Sequence, residues 1–311
     1  MSPPSPRVTA FAPGSIGNVG PGLDILGLAV AGAGDEVTAE RVPGDRITLR
    51  DAGHPDLPTD PGRNTAALAA REVLRRAGAG GVGLALTVRK GLPLSGGQGG
   101  SAASAVAGAV AVNHLLGVPL DRDALLAACL EAEAAVAGRH PDNVAPSLLG
   151  GIVLVRATDP PDVVLLPVPP DLRVVLAHPD QRLRTRDARA VLPADVPLAT
   201  ALHQAAQVAA MVAALAAGDY ALLGRALDDR IAEPARAPLL PGFAEAKAAA
   251  LAAGALGASI SGSGPTAFAL ARGDASARAA GAAMQAAYAG LGITATVRVA
   301  DVDRQGARVI A

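Results

Sequence analysis

The sequence predicts a two-domain α+β protein, from its length and from two patterns along the chain. Its 311 residues exceed what one ordinary hydrophobic core holds. Segments that alternate between apolar and polar residues, as strands do, recur between longer Ala- and Leu-rich segments of helical character. A Pro-rich stretch, 167–171, is the best place for a boundary, so we expect one domain over residues 1–165 and a second over 166–311.

The elements can be assigned in chain order from periodicity and from capping residues. Asn64 and Asp121 are candidate N-caps, because their side chains can accept hydrogen bonds from the first free N–H groups of a helix. Predicted strands cover 7–12, 35–42, 46–50, 82–88, 151–156, 162–168, 172–178, 256–261, 266–271 and 293–299, of which 35–42 and 46–50 are expected to be antiparallel. Predicted helices cover 65–77, a stretch that starts near 101, 122–137, a short segment within 184–192, 198–217, 219–229, 243–253 and 274–290, with loops at 139–151 and 233–242.

The composition argues against several classes of function. The net charge is −1 with interspersed charges, so no basic stripe indicates nucleic acid, and two Tyr, three Phe and no Trp leave little for base stacking. The N-terminus lacks the charged and apolar regions of a signal peptide, and the most apolar predicted helix, 198–217, carries His203, Gln204 and Gln207. We therefore expect a cytoplasmic protein with no nucleic-acid or membrane partner.

Two residue types are rare enough to interpret. Cys129 is the only cysteine, which excludes an intramolecular disulfide, and its place in a helical segment favours a buried, inert thiol. Of the 27 basic residues only Lys90 and Lys247 are lysine. We interpret that scarcity as a bias of composition without mechanistic meaning.

The most informative stretch is residues 91–104, GLPLSGGQGGSAAS, between a predicted strand and a long Ala/Val-rich helix. Glycines bring backbone N–H groups close to a ligand, and a helix N-terminus favours an anion, most often phosphate. The P-loop pattern does not fit, because Ser101 and Ala102 stand where it requires Lys and Ser/Thr. Residues 97–102 match the letters of a dinucleotide fingerprint but lie too far from the strand. A flexible linker is the remaining alternative, and the apolar helix that follows at once favours a phosphate cradle over it.

Three stretches, taken together and in order, resemble the three motifs of the GHMP kinases. They are PGSIGNVGPGLDILGLA (13–29), PLSGGQGGSAAS (93–104) and GASISGSGPTAFAL (257–270). Within that superfamily, the stretches at 140–151, 185–193, 233–242 and 306–310 are similar to those of the homoserine kinases. The resemblance implies a GHMP kinase fold, with an N-terminal ATP-binding α+β domain and a C-terminal ferredoxin-like domain of helices on an antiparallel sheet. It implies ATP-dependent phosphorylation of the L-homoserine hydroxyl in threonine biosynthesis, with Mg²⁺ as cofactor, and leaves room for a homodimer.

The same resemblance implies a set of site residues. ATP would be bound by Pro93, Leu94, Ser95, Gly96, Gly97, Gln98, Gly99, Gly100 and Ser101, and Mg²⁺ by Ser101 and Glu133. The amino acid would be bound by Asn18, Asp24, His140, Asn143, Thr185, Arg189, Arg236 and Gly262. Asn143 would orient the attacking hydroxyl and Arg189 would offset charge on the γ-phosphate, without a dedicated general base. The alternative mechanism is one in which His140 acts as the general base.

Residue chemistry alone leaves other interpretations open at these positions. Glu133 could be a solvated helix position, each Arg a surface ion pair, and His140 a hydrogen-bonded structural residue. The chain also departs from the family pattern at Gly100, Gln98 and Ile16. Gly100 in place of a serine removes one hydroxyl donor near the phosphates, which should weaken ATP binding without abolishing it.

Two other functions compete with this one. The first is a GHMP kinase acting on a different small alcohol, but Asp24, Arg189 and Arg236 favour a zwitterionic substrate over a sugar or mevalonate. The second is a non-catalytic sensor of ATP or an amino acid on the same fold. A sensor would be expected to have lost a metal ligand, whereas Ser101 and Glu133 are both present.

Overall fold

The computed structural model describes residues 7–117, 120–136 and 138–311, and its strands form two sheets. The elements up to residue 166 are β1 (Arg7–Gly17), β2 (Leu26–Arg41), β3 (Ile47–Asp51), α1 (Thr65–Arg76), β4 (Leu84–Arg89), α2 (Gly100–Leu116), α3 (Arg122–Ala134), α4 (Pro141–Leu149), β5 (Ile152–Thr158) and β6 (Pro161–Leu166). The elements that follow are β7 (Leu172–Pro179), α5 (Thr185–Ala190), α6 (Leu198–Ala217), α7 (Tyr220–Ala226), α8 (Ala232–Arg236), α9 (Phe243–Ala252), β8 (Gly257–Ile260), β9 (Ala267–Arg272), α10 (Gly273–Gly290), β10 (Ala295–Asp301) and β11 (Arg308–Val309).

The first sheet is organised around β2, because that strand is long enough to have three neighbours. β2 pairs with β1 over most of its length, with β4 through its second half and with β5 through its first residues, always antiparallel. β3 is parallel to β4, β6 extends the sheet from β5, and β11 pairs with β1. The Ala-rich helix α2 packs against β1 and β2 and is buried along nearly its whole length, which its small side chains allow. Its N-terminus, which carries the predicted phosphate loop, is therefore held by the core.

The second sheet has the strand order β10-β7-β9-β8 and is antiparallel throughout. With helices between β7 and β8 and with α10 between β9 and β10, this is a βαββαβ unit, so the predicted ferredoxin-like domain is confirmed. One face packs against α9 and α10 around Met284 and Tyr288. The other face shares a core with the first sheet, which contains Leu28, Leu176 and Phe268. This shared core fixes the two sheets relative to each other.

Most of the predicted helices are present, and both predicted N-caps are formed. The Asn64 Oδ1 atom accepts from two N–H groups of α1 at 3.1 and 3.4 Å, and Asp121 Oδ1 accepts from one N–H group of α3 at 2.8 Å. Cys129 is buried in α3, and burial raises the pKa of its thiol, in agreement with the inert role predicted for it. The predicted end of α3 at residue 137 lies outside the described residues.

Two predictions of local structure are wrong, and a third is incomplete. The predicted loop after α3 is instead the helix α4, because Pro141 occupies the first helical position, where its missing N–H costs nothing, and Pro146 removes a single backbone bond. The second predicted loop, 233–242, begins inside α8, whose first N–H groups are bound by the Asp229 carboxylate. Strands β2 and β3 do run antiparallel, but β4 lies between them and pairs with both.

The chain crosses between the two sheets more than once. β6 ends at Leu166 and β7 begins at Leu172 in the second sheet, which agrees with a boundary in the Pro-rich stretch. The last strand, β11, returns to pair with β1 in the first sheet. The division at 165/166 stays a prediction, and the C-terminal tail packs on the N-terminal side of it.

Within the part of the chain that the structure describes, α6 is the one helix whose length and composition would allow it to cross a membrane. These criteria are weak evidence, because core helices of globular proteins also meet them. Gln204 of α6 is buried, and its Nε2 donates to the carbonyl of Pro21 at 2.9 Å and to Asp229 Oδ1 at 2.8 Å. The absence of a membrane partner stays a prediction.

Gly108 allows α2 to approach α1, and this generates a test of the packing. A Cβ at Gly108 would lie 2.7 Å from the carbonyl oxygen of Ala66. Gly108→Ala should therefore lower the free energy of unfolding by about 1–3 kcal/mol, although alanine favours helices. Denaturant unfolding measures the change. Gly290→Ala is the matched control, because a Cβ there meets nothing within 4 Å; equal effects of the two substitutions would contradict the close packing.

Candidate active site

The three motifs meet in one cavity of about 440 Å³ that residues of both predicted domains line. Every residue predicted to bind a ligand lines this cavity except Gln98. Gln98 is buried, and its Nε2 donates to Thr266 Oγ1 at 3.2 Å. The structure thus brings together positions as far apart in the chain as Asn18 and Gly262, while the role of each stays a prediction.

The first motif is a turn with unusual backbone angles. Asn18 and Asp24 have φ values of 71° and 61°, in the left-handed region that only Asn, Asp and Gly adopt readily. The Asn18 side chain holds this turn: its Oδ1 accepts from the Asp24 N–H at 3.0 Å, and its Nδ2 donates to the Gly262 carbonyl at 2.9 Å. Asn18 is therefore buried between the first and third motifs, and it fixes the carboxylate of Asp24 at the cavity.

The second motif is a backbone cradle at the N-terminus of α2. Gly97 and Gly99 have φ values of 71° and 66°, and a Cβ at Gly97 would lie 2.4 Å from the Ser261 carbonyl oxygen. Gly99 is the N-cap of α2. Because glycine has no side chain, no capping side chain accepts hydrogen bonds from the first N–H groups of the helix. Ser261 Oγ donates to the Gly97 carbonyl at 2.6 Å, and Thr266 Oγ1 donates to that of Gly96. The cradle is thus held from the second sheet and lines the cavity, and its first helical N–H groups have no capping side chain among the described residues.

Ser101 and Glu133 lie side by side, as the metal prediction requires. Ser101 Oγ donates to Glu133 Oε2 at 2.7 Å, and Glu133 is 3% exposed. Burial raises the pKa of Glu133, while the hydrogen bond from Ser101 and the charges of His140 and Lys90 oppose that rise. A buried carboxylate and a hydroxyl at the edge of an open cavity are oxygen ligands of the kind that Mg²⁺ prefers. Glu131, two residues earlier, is exposed and pairs with Arg139.

The first turn of α4 brings three polar side chains to the cavity. His140 is its N-cap residue, and Asp142 and Asn143 follow. Asp142 is buried; its Oδ2 accepts from the Asn18 N–H at 3.0 Å, and its Oδ1 has no hydrogen-bond partner among the described residues. Burial and then the charge of Asp24 raise the pKa of Asp142 to about 6. Ligand atoms of Asp24, His140 and Asp142 lie within 4.8 Å of one another, so this side of the cavity suits a cationic group.

Two arginines line the cavity beside these groups. Arg189 of α5 forms a forked ion pair with Asp24, with Nη2 at 2.8 Å from both carboxylate oxygens and Nη1 at 3.1 Å from Oδ2. Arg236 of α8 is buried and donates to the carbonyls of Gly262 at 2.9 Å and Ala188 at 3.2 Å. Burial and the neighbouring charge of Arg189 lower the pKa of Arg236. Thr185 begins α5 and lines the cavity beside them.

Sequence reasoning missed several residues of this site. Asp142, Ser261 and Thr266 are not among the predicted site residues: Asp142 falls in the predicted loop 139–151, and Ser261 and Thr266 fall in the predicted strands 256–261 and 266–271. Lys90 lines the cavity and bonds Asp35, Ser104 Oγ at 3.0 Å and the Gly100 carbonyl at 2.8 Å. It ties the first turn of α2 to a buried carboxylate.

The scarcity of lysine was the signal that could have found Lys90. Both lysines of the chain pair with carboxylates in partly or fully buried networks, Lys90 with Asp35 and Lys247 with Glu233. A compact ammonium group fits such sites where a forked guanidinium does not. Interpreting the scarcity as composition alone was therefore incomplete.

Comparison with known proteins agrees with this architecture. Residues 64–151 match the GHMP kinases N terminal domain and residues 211–290 match GHMP kinases C terminal. Over 97% of its length the chain is 44% identical to homoserine kinase of Chlorobium phaeovibrioides, of which it covers 99%, and 44% identical to that of Arabidopsis thaliana, of which it covers 84%.

A solved structure gives the same result in three dimensions. The crystal structure of homoserine kinase from Cytophaga hutchinsonii matches with a TM-score of 0.96 at 41% identity, covering 100% of this chain and 99% of that one. Leishmania major mevalonate kinase, at 18% identity, shares the fold with a TM-score of 0.71. The chain therefore belongs to the GHMP kinases and, within them, to the homoserine kinase family.

Proposed function

We propose that this protein transfers the γ-phosphoryl group of ATP to the side-chain hydroxyl of L-homoserine. The observation that carries the proposal is the single cavity lined by a backbone anion cradle, a buried Ser–Glu pair and two adjoining walls of opposite charge. The charged walls favour an amino acid over a sugar or mevalonate, and the Ser–Glu pair supports catalysis over sensing. The identities to homoserine kinases support the same choice.

The cradle is suited to the phosphates of ATP. The loop is built mostly from residues without bulky side chains, and the N-terminus of α2 adds its dipole to the free N–H groups. Leu57, Pro58, Leu94 and Val136 line the cavity and offer the apolar surface that adenine needs in a chain poor in aromatic residues. We place the nucleotide along this side.

Ser101 and Glu133 would hold Mg²⁺. The oxygen donors fit that ion, and burial of Glu133 makes its negative charge costly in the absence of a cation. Magnesium would supply neutralisation of charge on the phosphates during transfer. Lys90 holds the same turn of α2 and keeps the Ser101 hydroxyl beside Glu133.

Asp24, Asp142 and His140 would surround the ammonium group of homoserine, and Thr185, Arg189 and Arg236 its carboxylate. Asn143 would orient the reacting hydroxyl. Its Oδ1 accepts from Ser15 Oγ at 3.0 Å, and its amide NH₂, which has two N–H donors and also bonds the Asp142 carboxylate, would donate to a ligand. Such a donor positions an alcohol but takes no proton, so phosphoryl transfer would rely on positioning and charge neutralisation.

An ATP-turnover assay across homoserine, shikimate, mevalonate, galactose and threonine tests the function directly. We expect turnover with homoserine to exceed that with each of the others by at least about 100-fold. Shikimate, mevalonate and galactose lack the ammonium group, and threonine, which has both charges, carries its hydroxyl one carbon nearer to them. Equal or greater turnover with another alcohol would contradict the proposal.

Glu133→Gln should lower turnover by at least about 100-fold while leaving the fold intact. Because burial raises the pKa of Glu133, a neutral isostere at this place should not lower the free energy of unfolding near pH 7. Steady-state kinetics over a Mg²⁺ titration and denaturant unfolding measure the two effects. Glu131→Gln is the control on the same helix. Near-normal turnover at saturating Mg²⁺ would remove Glu133 from the metal site.

Asp142 should make the stability of the protein depend on pH. Its folded pKa of about 6 lies above the ordinary 3.8, so the folded state binds the proton more tightly than the unfolded chain. Its contribution to stability is therefore greatest below about pH 4 and is lost as the pH rises through about 6. Asp142→Asn should stabilise the protein relative to wild type at about pH 7.5 and not at about pH 4, by denaturant unfolding. A difference that does not change with pH would contradict the assignment.

Gly100→Ser should lower the KM for ATP by about tenfold. A Cβ at Gly100 would lie 3.4 Å from Lys90 Nζ and farther from other atoms, so a side chain fits. The added hydroxyl would donate to a charged phosphate, an interaction typically worth about 1.5–3 kcal/mol. Gly100→Ala fills the same space without a donor and should leave the KM unchanged. If both substitutions act alike, the missing hydroxyl is not what limits ATP binding.

A further inference from the structure

The ion pair between Asp24 and Arg189 joins the two residues proposed to bind opposite ends of the substrate. Arg189 Nη2 lies 2.8 Å from both oxygens of Asp24 and Nη1 lies 3.1 Å from Oδ2, so the faces that the two groups turn to each other are occupied until the pair opens. A ligand can reach the pair, because the side chain of Arg189 is 39% exposed and that of Asp24 is 44% exposed. Exposed pairs are weakly stabilising, so a ligand can open this one.

The two partners differ in how firmly they are held. Asp24 lies in the left-handed turn, and the Asn18 side chain bonds its N–H. Arg189 lies on α5, a helix of six residues in which Ala188 alone is buried. Arg189 is therefore the partner that moves when the pair opens.

Each partner has a second group of its own sign beside it. Asp142 lies with Asp24, and Arg236 lies close enough to Arg189 for the charge of Arg189 to lower the pKa of Arg236. An ammonium placed at Asp24 and a carboxylate placed at Arg189 would each replace one half of the existing pair. The net charge of the site would not change.

We propose, on the basis of the function above, that the substrate binds by exchange with this pair: its ammonium takes the place of Arg189 at Asp24, and its carboxylate takes the place of Asp24 at Arg189. The site then selects for amino acids that carry both charges. A ligand with one charge opens the pair and pairs with one half only. Because the ligand also covers the cavity, the other half loses water as well as its partner, which is costly.

The test uses homoserine and two analogues that each lack one charge. 4-Hydroxybutanoate lacks the ammonium and 3-aminopropan-1-ol lacks the carboxylate. Isothermal titration calorimetry in the presence of ADP measures affinity without turnover. Wild type should bind homoserine at least about 30-fold more tightly than either analogue.

The decisive result is a gain of affinity in a variant. Asp24→Asn, which keeps a residue that tolerates the left-handed turn, leaves Arg189 without its partner. This variant should bind 4-hydroxybutanoate about tenfold more tightly than wild type does, because it has no Asp24 carboxylate that would lose its partner when the ligand binds Arg189. Arg189→Gln should show the same gain for 3-aminopropan-1-ol.

Asp187→Asn is the control, since it removes a charge from α5 that pairs with Arg184 and does not line the cavity. It should change neither analogue affinity. If Asp24→Asn and wild type bind 4-hydroxybutanoate equally, Asp24 is a simple ammonium ligand and the exchange is wrong. These affinities decide the exchange independently of turnover, whereas failure of wild type to phosphorylate homoserine would overturn the function itself.

Discussion

Two hydroxyl groups from the second sheet hold the phosphate loop, and the arrangement of the site depends on them. Ser261 Oγ donates to the Gly97 carbonyl at 2.6 Å and Thr266 Oγ1 to that of Gly96. Both belong to the turn between β8 and β9, which closes against a glycine-rich loop whose Gln98 side chain bonds back to Thr266. Glycine gives this loop its close approach to a ligand, at the cost of conformational freedom that must be restrained elsewhere. The ferredoxin-like domain supplies that restraint.

The same turn also connects the nucleotide side of the cavity to the amino-acid side. The Gly262 carbonyl accepts from Asn18 Nδ2 and from Arg236 Nη1, both at 2.9 Å. Asn18 in turn positions Asp24, and Arg236 is one of the two guanidinium groups of the cationic wall. The shared core fixes the sheets behind this turn. The groups that bind the two substrates are therefore both positioned relative to the turn between β8 and β9. A displacement of the turn would therefore affect both substrates together.

The features that could be predicted from the sequence are those that one local segment demands. Gly97 and Gly99 are needed by the backbone angles of the loop, Asn64 and Asp121 cap helices within three residues, and alternation identified most strands of both sheets. The contacts of Ser261, Thr266 and Lys90 could not be predicted, because they join segments that only the complete fold brings together. Pro141 and Pro146 argue against a helix in this segment, so α4 was not predicted. The burial that raises the pKa of Asp142 was therefore not predicted either.

The most direct test of this account is amide hydrogen exchange in the phosphate loop of Ser261→Ala. Loss of the hydroxyl frees the Gly97 carbonyl, a bond typically worth about 0.5–1.5 kcal/mol, so the amides of residues 95–101 should exchange about 3- to 10-fold faster and the KM for ATP should rise. Ser276→Ala removes a comparable bond, from Ser276 Oγ to the Gly254 carbonyl, outside the site and should change neither quantity. Unchanged exchange and unchanged KM in Ser261→Ala would contradict the account, because the loop would then keep its conformation without the Ser261 hydroxyl.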